Sequence, residues 1–182
     1  LTDETGAGLV DAEHATALVA GDIALVAAQM AERFHGNPTR KLKLVGVTGT
    51  NGKTTVVHLV HGIMNAAGVR TGMVGTVEID DGREIALAEM TTPPAIELSR
   101  TFASMVDAGC QAAVMEASSH ALDQRRVAGL AFDIGVFTTL GTDHMDYHTD
   151  RESYLQAKQR LFGMLGEDGV AIVNADDEAS EA

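Results

Sequence analysis

The sequence predicts an α/β fold: a mostly parallel, helix-covered sheet with a phosphate loop. Three observations predict it. From Lys41 onward, short apolar runs alternate with segments of helical period, the pattern of strand–helix units wrapped around a shared sheet. Most runs are apolar along their whole length, as strands covered on both faces are. The first run leads into "GVTGTNGKTT" (46–55), a glycine-rich turn that opens a helix.

Residues 1–40 precede that pattern. "LTDETGAGLVDAEHA" has no clear period, whereas "GDIALVAAQMAERFHGNP" predicts a helix with Asp22 as N-cap, stopped by His35-Gly36-Asn37-Pro38. This stretch is too short for a core of its own, so it is expected to be the C-terminal remnant of a preceding domain plus a linker. Residues 41–182 form the main domain. There "LKLVGVT" is a strand, and Lys53 to Ala67 a helix closed by Gly68. "TGMVGTVEI" and "EIALAEM" flank Asp81-Gly82, a hairpin signal. "PPAIELSRTFASMVDAG" is a helix with prolines at its start and Gly109 at its end. "CQAAVME" is a strand, "SSHALDQRR" a short helix or turn, and "FDIGVFTTL" a further strand. "RESYLQAKQRLFGML" is a helix with Thr149 and Glu152 at capping-box spacing. "GVAIVNADD" is the last strand.

Composition narrows the classes. The chain has 182 residues, 45% of them apolar, and a net charge of −13. An ordinary soluble globular protein has that apolar share. The acidic balance opposes nonspecific nucleic-acid binding, which needs cations to replace phosphate counterions. One cysteine, Cys110, cannot make an intrachain disulfide, which fits a reducing compartment. No basic leader opens the chain, and "ATALVAGDIALVAAQMA" is broken by Asp22 and too short to span a bilayer. A cytoplasmic monomer without membrane insertion is expected.

The polar clusters fall at strand ends: Gly49 to Lys53, Glu116, "GTDHMDYH" (141–148), and Asn174-Ala175-Asp176. Ligands of open α/β sheets bind at that edge. The loop misses the usual phosphate-loop template, which expects a glycine where Val47 stands. Its setting is still right: Gly49 and Gly52 allow close backbone approach, Lys53 would reach outer phosphates, and Thr54 would ligate Mg²⁺. A structural turn is the alternative. Glu116 stands where a second-strand acid completes a magnesium site, or is a solvated strand-end acid. "DHMDYH" crowds Asp143, His144, Asp146 and His148 into six residues, which suggests metal ligation. Its alternatives are a capping aspartate beside surface histidines, or the zinc site of a hydrolase. At about 100° per residue, Lys158 falls in the middle of the apolar stripe of Tyr154, Leu161 and Leu165. A lysine there either snorkels to the sheet edge or must be deprotonated, paired or modified.

The loop resembles that of the Mur ligase superfamily, which includes the folylpolyglutamate synthetases. "TTPP" (91–94), "MEASSHALDQRRV" (115–127), "DHMDYH" (143–148), "SYLQAKQRLF" (153–162) and "VNADD" (173–177) are together similar to its MurE type. The resemblance implies that Gly49, Thr50, Asn51, Gly52, Lys53, Thr54 and Thr55 bind ATP. It implies one Mg²⁺ on Thr54 and Glu116 and a second on His144, with Lys158 carbamylated by CO₂ to serve the metal. Lys53, His144 and Lys158 are then catalytic, and Thr91, Thr92, Ser118, Gln124 and Arg126 hold a UDP-N-acetylmuramoyl dipeptide. The implied reaction adds a diamino acid, meso-diaminopimelate or L-lysine, to that dipeptide through an acyl phosphate. Thr139, Gly141, Thr142 and Met90 depart from residues common in the family. The family's first domain would be mostly missing and its third wholly so, and the 182-residue piece alone is expected to ligate little or nothing. A noncatalytic nucleotide-binding module, or another Mur or folylpolyglutamate-type ligase, is the alternative.

Overall fold

A computed structural model describes residues 1–8, 16–143 and 146–181. In chain order its elements are α1 (Glu4–Ala7), α2 (Ile23–Phe34), β1 (Lys43–Thr48), α3 (Lys53–Ala66), β2 (Thr71–Val74), β3 (Glu78–Asp80), β4 (Ile85–Leu87), α4 (Ala95–Asp107), β5 (Ala112–Glu116), α5 (Ser119–Asp123), β6 (Phe132–Phe137), α6 (Arg151–Gln159) and β7 (Leu165–Val173). The strands form one sheet in the order β4-β3-β2-β5-β1-β6-β7. Among the described residues, β2, β5, β1, β6 and β7 pair in parallel, and the edge pairs β2–β3 and β3–β4 are antiparallel. The expected class is the one observed.

Alternation along the central strands explains how both faces are filled. Val45, Val47 and Val114 pack with Val57 of α3 on one face. Leu44, Ala113 and Met115 meet Leu98, Phe102 and Met105 of α4, Leu122 of α5 and Leu161 on the other. Phe102, Leu98 and Met105 are fully buried, and burial of each such side chain contributes about 1.5–3 kcal/mol.

The order of strands places the site. β1 leads through α3 to β2 on one side of it, whereas β6 leads through α6 to β7 on the other. The carboxyl ends of the neighbouring strands β1 and β6 therefore open a crevice between diverging connections, where such sheets hold ligands.

Four local readings are corrected. The cap of α6 is Asp150, whose carboxylate accepts from Ser153 N while Ser153 Oγ accepts from Asp150 N; Thr149 and Glu152 do not form it. That α-helix stops at Gln159 and continues as a 3₁₀ turn, Phe162–Met164. "TGMVGTVEI" is two strands, broken at residues 75–77, because Met73 and Val74 turn back to pair with Asp80 and Ile79. β7 begins at Leu165, and a register shift against β6 between Phe132 and Ile134 absorbs the turn-like Gly166–Gly169.

The predicted helix before the main domain is α2, capped by Asp22 as expected. It is fastened to the body through a buried acid. Glu32 accepts from Thr39 N (2.9 Å), the Thr39 hydroxyl and Ser99 Oγ (3.1 Å). Thr39 Oγ1 in turn accepts from Ala131 N (3.1 Å). Among the described residues, no helix is long and apolar enough to cross a membrane.

Candidate active site

The loop after β1 is built on two left-handed glycines. Gly49 has φ +141° and Gly52, the N-cap of α3, has φ +87°, conformations that favour glycine. A side chain at Gly49 would also collide with Thr138. No side chain caps α3, so its first-turn N–H groups are left at the positive end of the helix dipole. The loop is held in place by the end of β6. Thr50 N donates to Thr139 O (2.7 Å), Asn51 N to Thr139 Oγ1 (3.3 Å), and Gly141 N to Thr50 Oγ1 (2.9 Å). Thr50 Oγ1 also lies 3.1 Å from Tyr154 Oη. Thr55 faces outward on the first turn of α3.

Two lysines converge on one carbonyl. Lys53 Nζ donates to Gly49 O and Thr50 O, each at 2.9 Å, and Lys158 Nζ donates to the same Gly49 O at 2.9 Å. Lys158 is 1% exposed and does not snorkel out; its Nζ sits 4.1 Å over the Tyr154 ring. Burial, and then the nearby Lys53 charge, lower its pKa from 10.5 to about 7. Burial also lowers that of Lys53, against the attraction of Glu116 and Asp143.

Glu116 ends β5 and is fully buried. Thr54 Oγ1 lies 3.0 and 3.1 Å from its two carboxylate oxygens, Thr76 N donates to Oε1 (2.8 Å), and Thr76 Oγ1 donates to Oε2 (3.1 Å). The solvated-acid alternative is thereby removed. Its backbone reaches the second cluster: Thr92 Oγ1 donates to Glu116 O (2.9 Å) and accepts from Ser118 N (3.1 Å). Arg126 Nη1 donates to Thr92 O (2.9 Å), while its Nε and Nη2 hold Gln124 Oε1 at 3.0 and 2.7 Å. Thr91, Thr92, Ser118, Gln124 and Arg126 are thus one group beside Glu116.

His144 lies outside the described residues. Tyr147 and His148 of its motif are held by polar and aromatic contacts. Tyr147 Oη donates to Asp123 (2.8 Å), which is also paired with Arg160 (2.7 Å). His148 is buried against the rings of Tyr147 and Tyr154. Among the described residues, no three His, Cys, Asp or Glu side chains form a group that could hold a metal. The donors that do converge, the Thr54 hydroxyl and the Glu116 carboxylate, are hard oxygens, and oxygen ligands suit Mg²⁺. A cavity of about 690 Å³ lined by Arg40, Lys41, Phe132 and Met164 lies at the opposite end of the strands and contains none of these groups.

Thr76, Tyr154 and Thr139 are the contacts that sequence reasoning missed as parts of the site. Tyr154 carried a signal, since it shares the stripe of Lys158. Thr76 carried none, being concealed inside an apparent single strand.

A family model for the Mur ligase middle domain matches residues 47–182. The chain belongs to the Mur ligase family. It is 46% identical over 171 residues to the UDP-N-acetylmuramoyl-L-alanyl-D-glutamate–2,6-diaminopimelate ligase of Geobacter metallireducens, covering 91% of this chain and 34% of that protein. The enzyme of the same name from Synechococcus elongatus is 48% identical over 164 residues, covering 90% and 33%. The chain therefore spans about a third of the length of these relatives. A solved ligase of that name superposes with a TM-score of 0.78 at 32% identity, over 90% of this chain and 33% of that one. The folylpolyglutamate synthase of Mycobacterium tuberculosis, solved with ADP, gives a TM-score of 0.67 at 20% identity, over 87% and 43%, a likeness of fold.

Proposed function

We propose that this chain is the ATP-binding part of a ligase that joins a diamino acid to UDP-N-acetylmuramoyl-L-alanyl-D-glutamate in peptidoglycan precursor synthesis. The observation that carries the reading is the meeting of Lys53 and Lys158 on the Gly49 carbonyl, beside the Thr54–Glu116 pair. The names of the relatives support 2,6-diaminopimelate rather than L-lysine as the incoming amine.

The chemistry asks for charge control, because a carboxylate must attack the γ-phosphate of ATP, giving ADP and an acyl phosphate. The diamino acid's amine then displaces phosphate. The glycine turn and the first-turn amides of α3 would hold the phosphates. Lys53 would exchange its two carbonyl partners for phosphate oxygens, where its charge offsets the meeting of two anions. Thr54 and Glu116 would hold one Mg²⁺, and His144 with a carbamylated Lys158 a second; bound magnesium would neutralise phosphate charge and align the reacting groups. With its pKa near 7, Lys158 has a large neutral fraction at neutral pH. Its amine lone pair can add to CO₂, forming an N–C bond and releasing a proton to solvent. Thr91, Thr92, Ser118, Gln124 and Arg126 would hold the muramoyl dipeptide, with Arg126 suited to its anionic groups.

The test is ADP release by the full-length chain carrying these residues. Release should require both the UDP-muramoyl dipeptide and the diamino acid, and should vanish in Lys53→Ala and Lys158→Ala. Release indifferent to the dipeptide, or unchanged in Lys158→Ala, would favour a noncatalytic module or a simple nucleotidase.

A further inference from the structure

We infer that Thr76 is a positioning residue that joins the nucleotide half of this site to the acceptor half. The inference rests on the ligase reading above. Thr76 lies in the link between β2 and β3, exposed at the surface, with both its N–H and its hydroxyl hydrogen-bonded. From one residue, N–H and hydroxyl grip both oxygens of Glu116, at 2.8 and 3.1 Å. The same hydroxyl shares a 3.1 Å hydrogen bond with Thr91 Oγ1.

The consequence follows from what each partner touches. Glu116 faces Thr54 and hence the metal and nucleotide. Thr91 opens the segment whose next residue, Thr92, binds Glu116 O, Ser118 and, through its own carbonyl, Arg126. A carboxylate only accepts hydrogen bonds, so its orientation is set by the donors arranged round it. Thr76 is the donor that also belongs to the acceptor side. The chain runs hard against the carboxylate here, since a Cβ at Gly75 would stand 3.1 Å from Glu116 Oε1. The β-branched Thr76 side chain has a stiff χ1, which suits a fixed bridge better than serine's freer hydroxyl. Partners that orient a metal ligand typically change metal affinity or activity by about 10–100-fold when removed. Because Thr76→Val keeps the backbone N–H, the lower end applies.

Calorimetry on the full-length chain tests this without turnover. Thr76→Val should weaken Mg²⁺·ADP binding about 10-fold and weaken binding of the UDP-muramoyl dipeptide as well, while the Kd for the diamino acid stays within about twofold. Thr76→Ser should restore both affinities to within about threefold. Thr76→Val should still unfold in one cooperative transition above the assay temperature, which separates positioning from loss of the fold; if Thr76→Val does not fold, Thr76→Ala is expected to show the same losses. Unchanged affinities in Thr76→Val, a loss on one side only, or Thr76→Ser as impaired as Thr76→Val would overturn the inference. Failure of the underlying reading looks different. In that case the unaltered protein releases no dipeptide-dependent ADP, or Lys53→Ala remains active, whatever Thr76 does.

Discussion

Replacing Lys158 with methionine should convert a pH-dependent protein into one less so, and the size of the effect can be worked from the lowered pKa of the buried amine. Lys158 is buried with its Nζ over the Tyr154 ring, and its pKa drops from 10.5 in the open chain to about 7 in the fold. At 1.36 kcal/mol per pKa unit, the full difference is about 5 kcal/mol. The sign is set by which state holds the proton. Below pH 7 both states are protonated and the fold carries the whole penalty. Between pH 7 and 10.5 the unfolded chain binds more protons, so stability rises with pH as the folded amine is already neutral. From pH 6 to pH 9 that amounts to about 2–3 kcal/mol. Methionine is similarly long and unbranched but does not titrate. Urea unfolding of both proteins in CO₂-free buffer, where the amine is unmodified, should therefore show Lys158→Met gaining most at pH 6, its advantage shrinking by about 2–3 kcal/mol by pH 9. A difference that stays flat across that range would refute the claim that a buried ammonium is strained here.

Two further predictions follow from the loop and the N-terminal helix. Gly49→Ala adds a Cβ where φ is +141° and Thr138 is in the way; nucleotide binding measured by calorimetry should be lost, since the turn must move. Glu32→Ala leaves Thr39 and Ser99 donors buried without their acceptor, so unfolding free energy should fall by about 2–5 kcal/mol, with α2 loosened from α4. Rapid amide exchange in α2 alone would accompany it.

Much of the architecture was legible because the strands are apolar on both faces. Runs such as Leu42–Thr48 and Ala112–Glu116 admit few other readings once helices of clear period separate them. The errors sit where local pattern underdetermines pairing. Thr149 and Asp150 are both competent caps, and only the Ser153 geometry chooses between them. The break at Gly75–Val77 is invisible in "TGMVGTVEI", because a tight reversal needs just a few residues and its evidence is the distant partner strand. The same reason hid Thr76, whose meaning comes from Glu116, 40 residues away, and from Thr91. Lys158 shows the opposite case. A charge on an apolar stripe is a local anomaly, so the position announced itself, but whether it snorkelled or stayed inside depended on the Gly49 carbonyl. The substrate-side residues Thr91, Thr92, Ser118, Gln124 and Arg126 were singled out by resemblance, and their mutual hydrogen bonds explain how such scattered positions act as one group.

In the proposed ligase, Lys53, Thr54, Glu116 and Lys158 would surround a magnesium-bound triphosphate. The most direct measurement is a crystal of the full-length chain grown with a nonhydrolysable ATP analogue and Mn²⁺ in place of Mg²⁺, read by anomalous scattering. A manganese peak is expected among the Thr54 hydroxyl, the Glu116 carboxylate and the bound phosphates, with Lys53 turned from the Gly49 carbonyl to a phosphate oxygen. A peak at another part of the sheet, or phosphates bound away from residues 49–54, would contradict it.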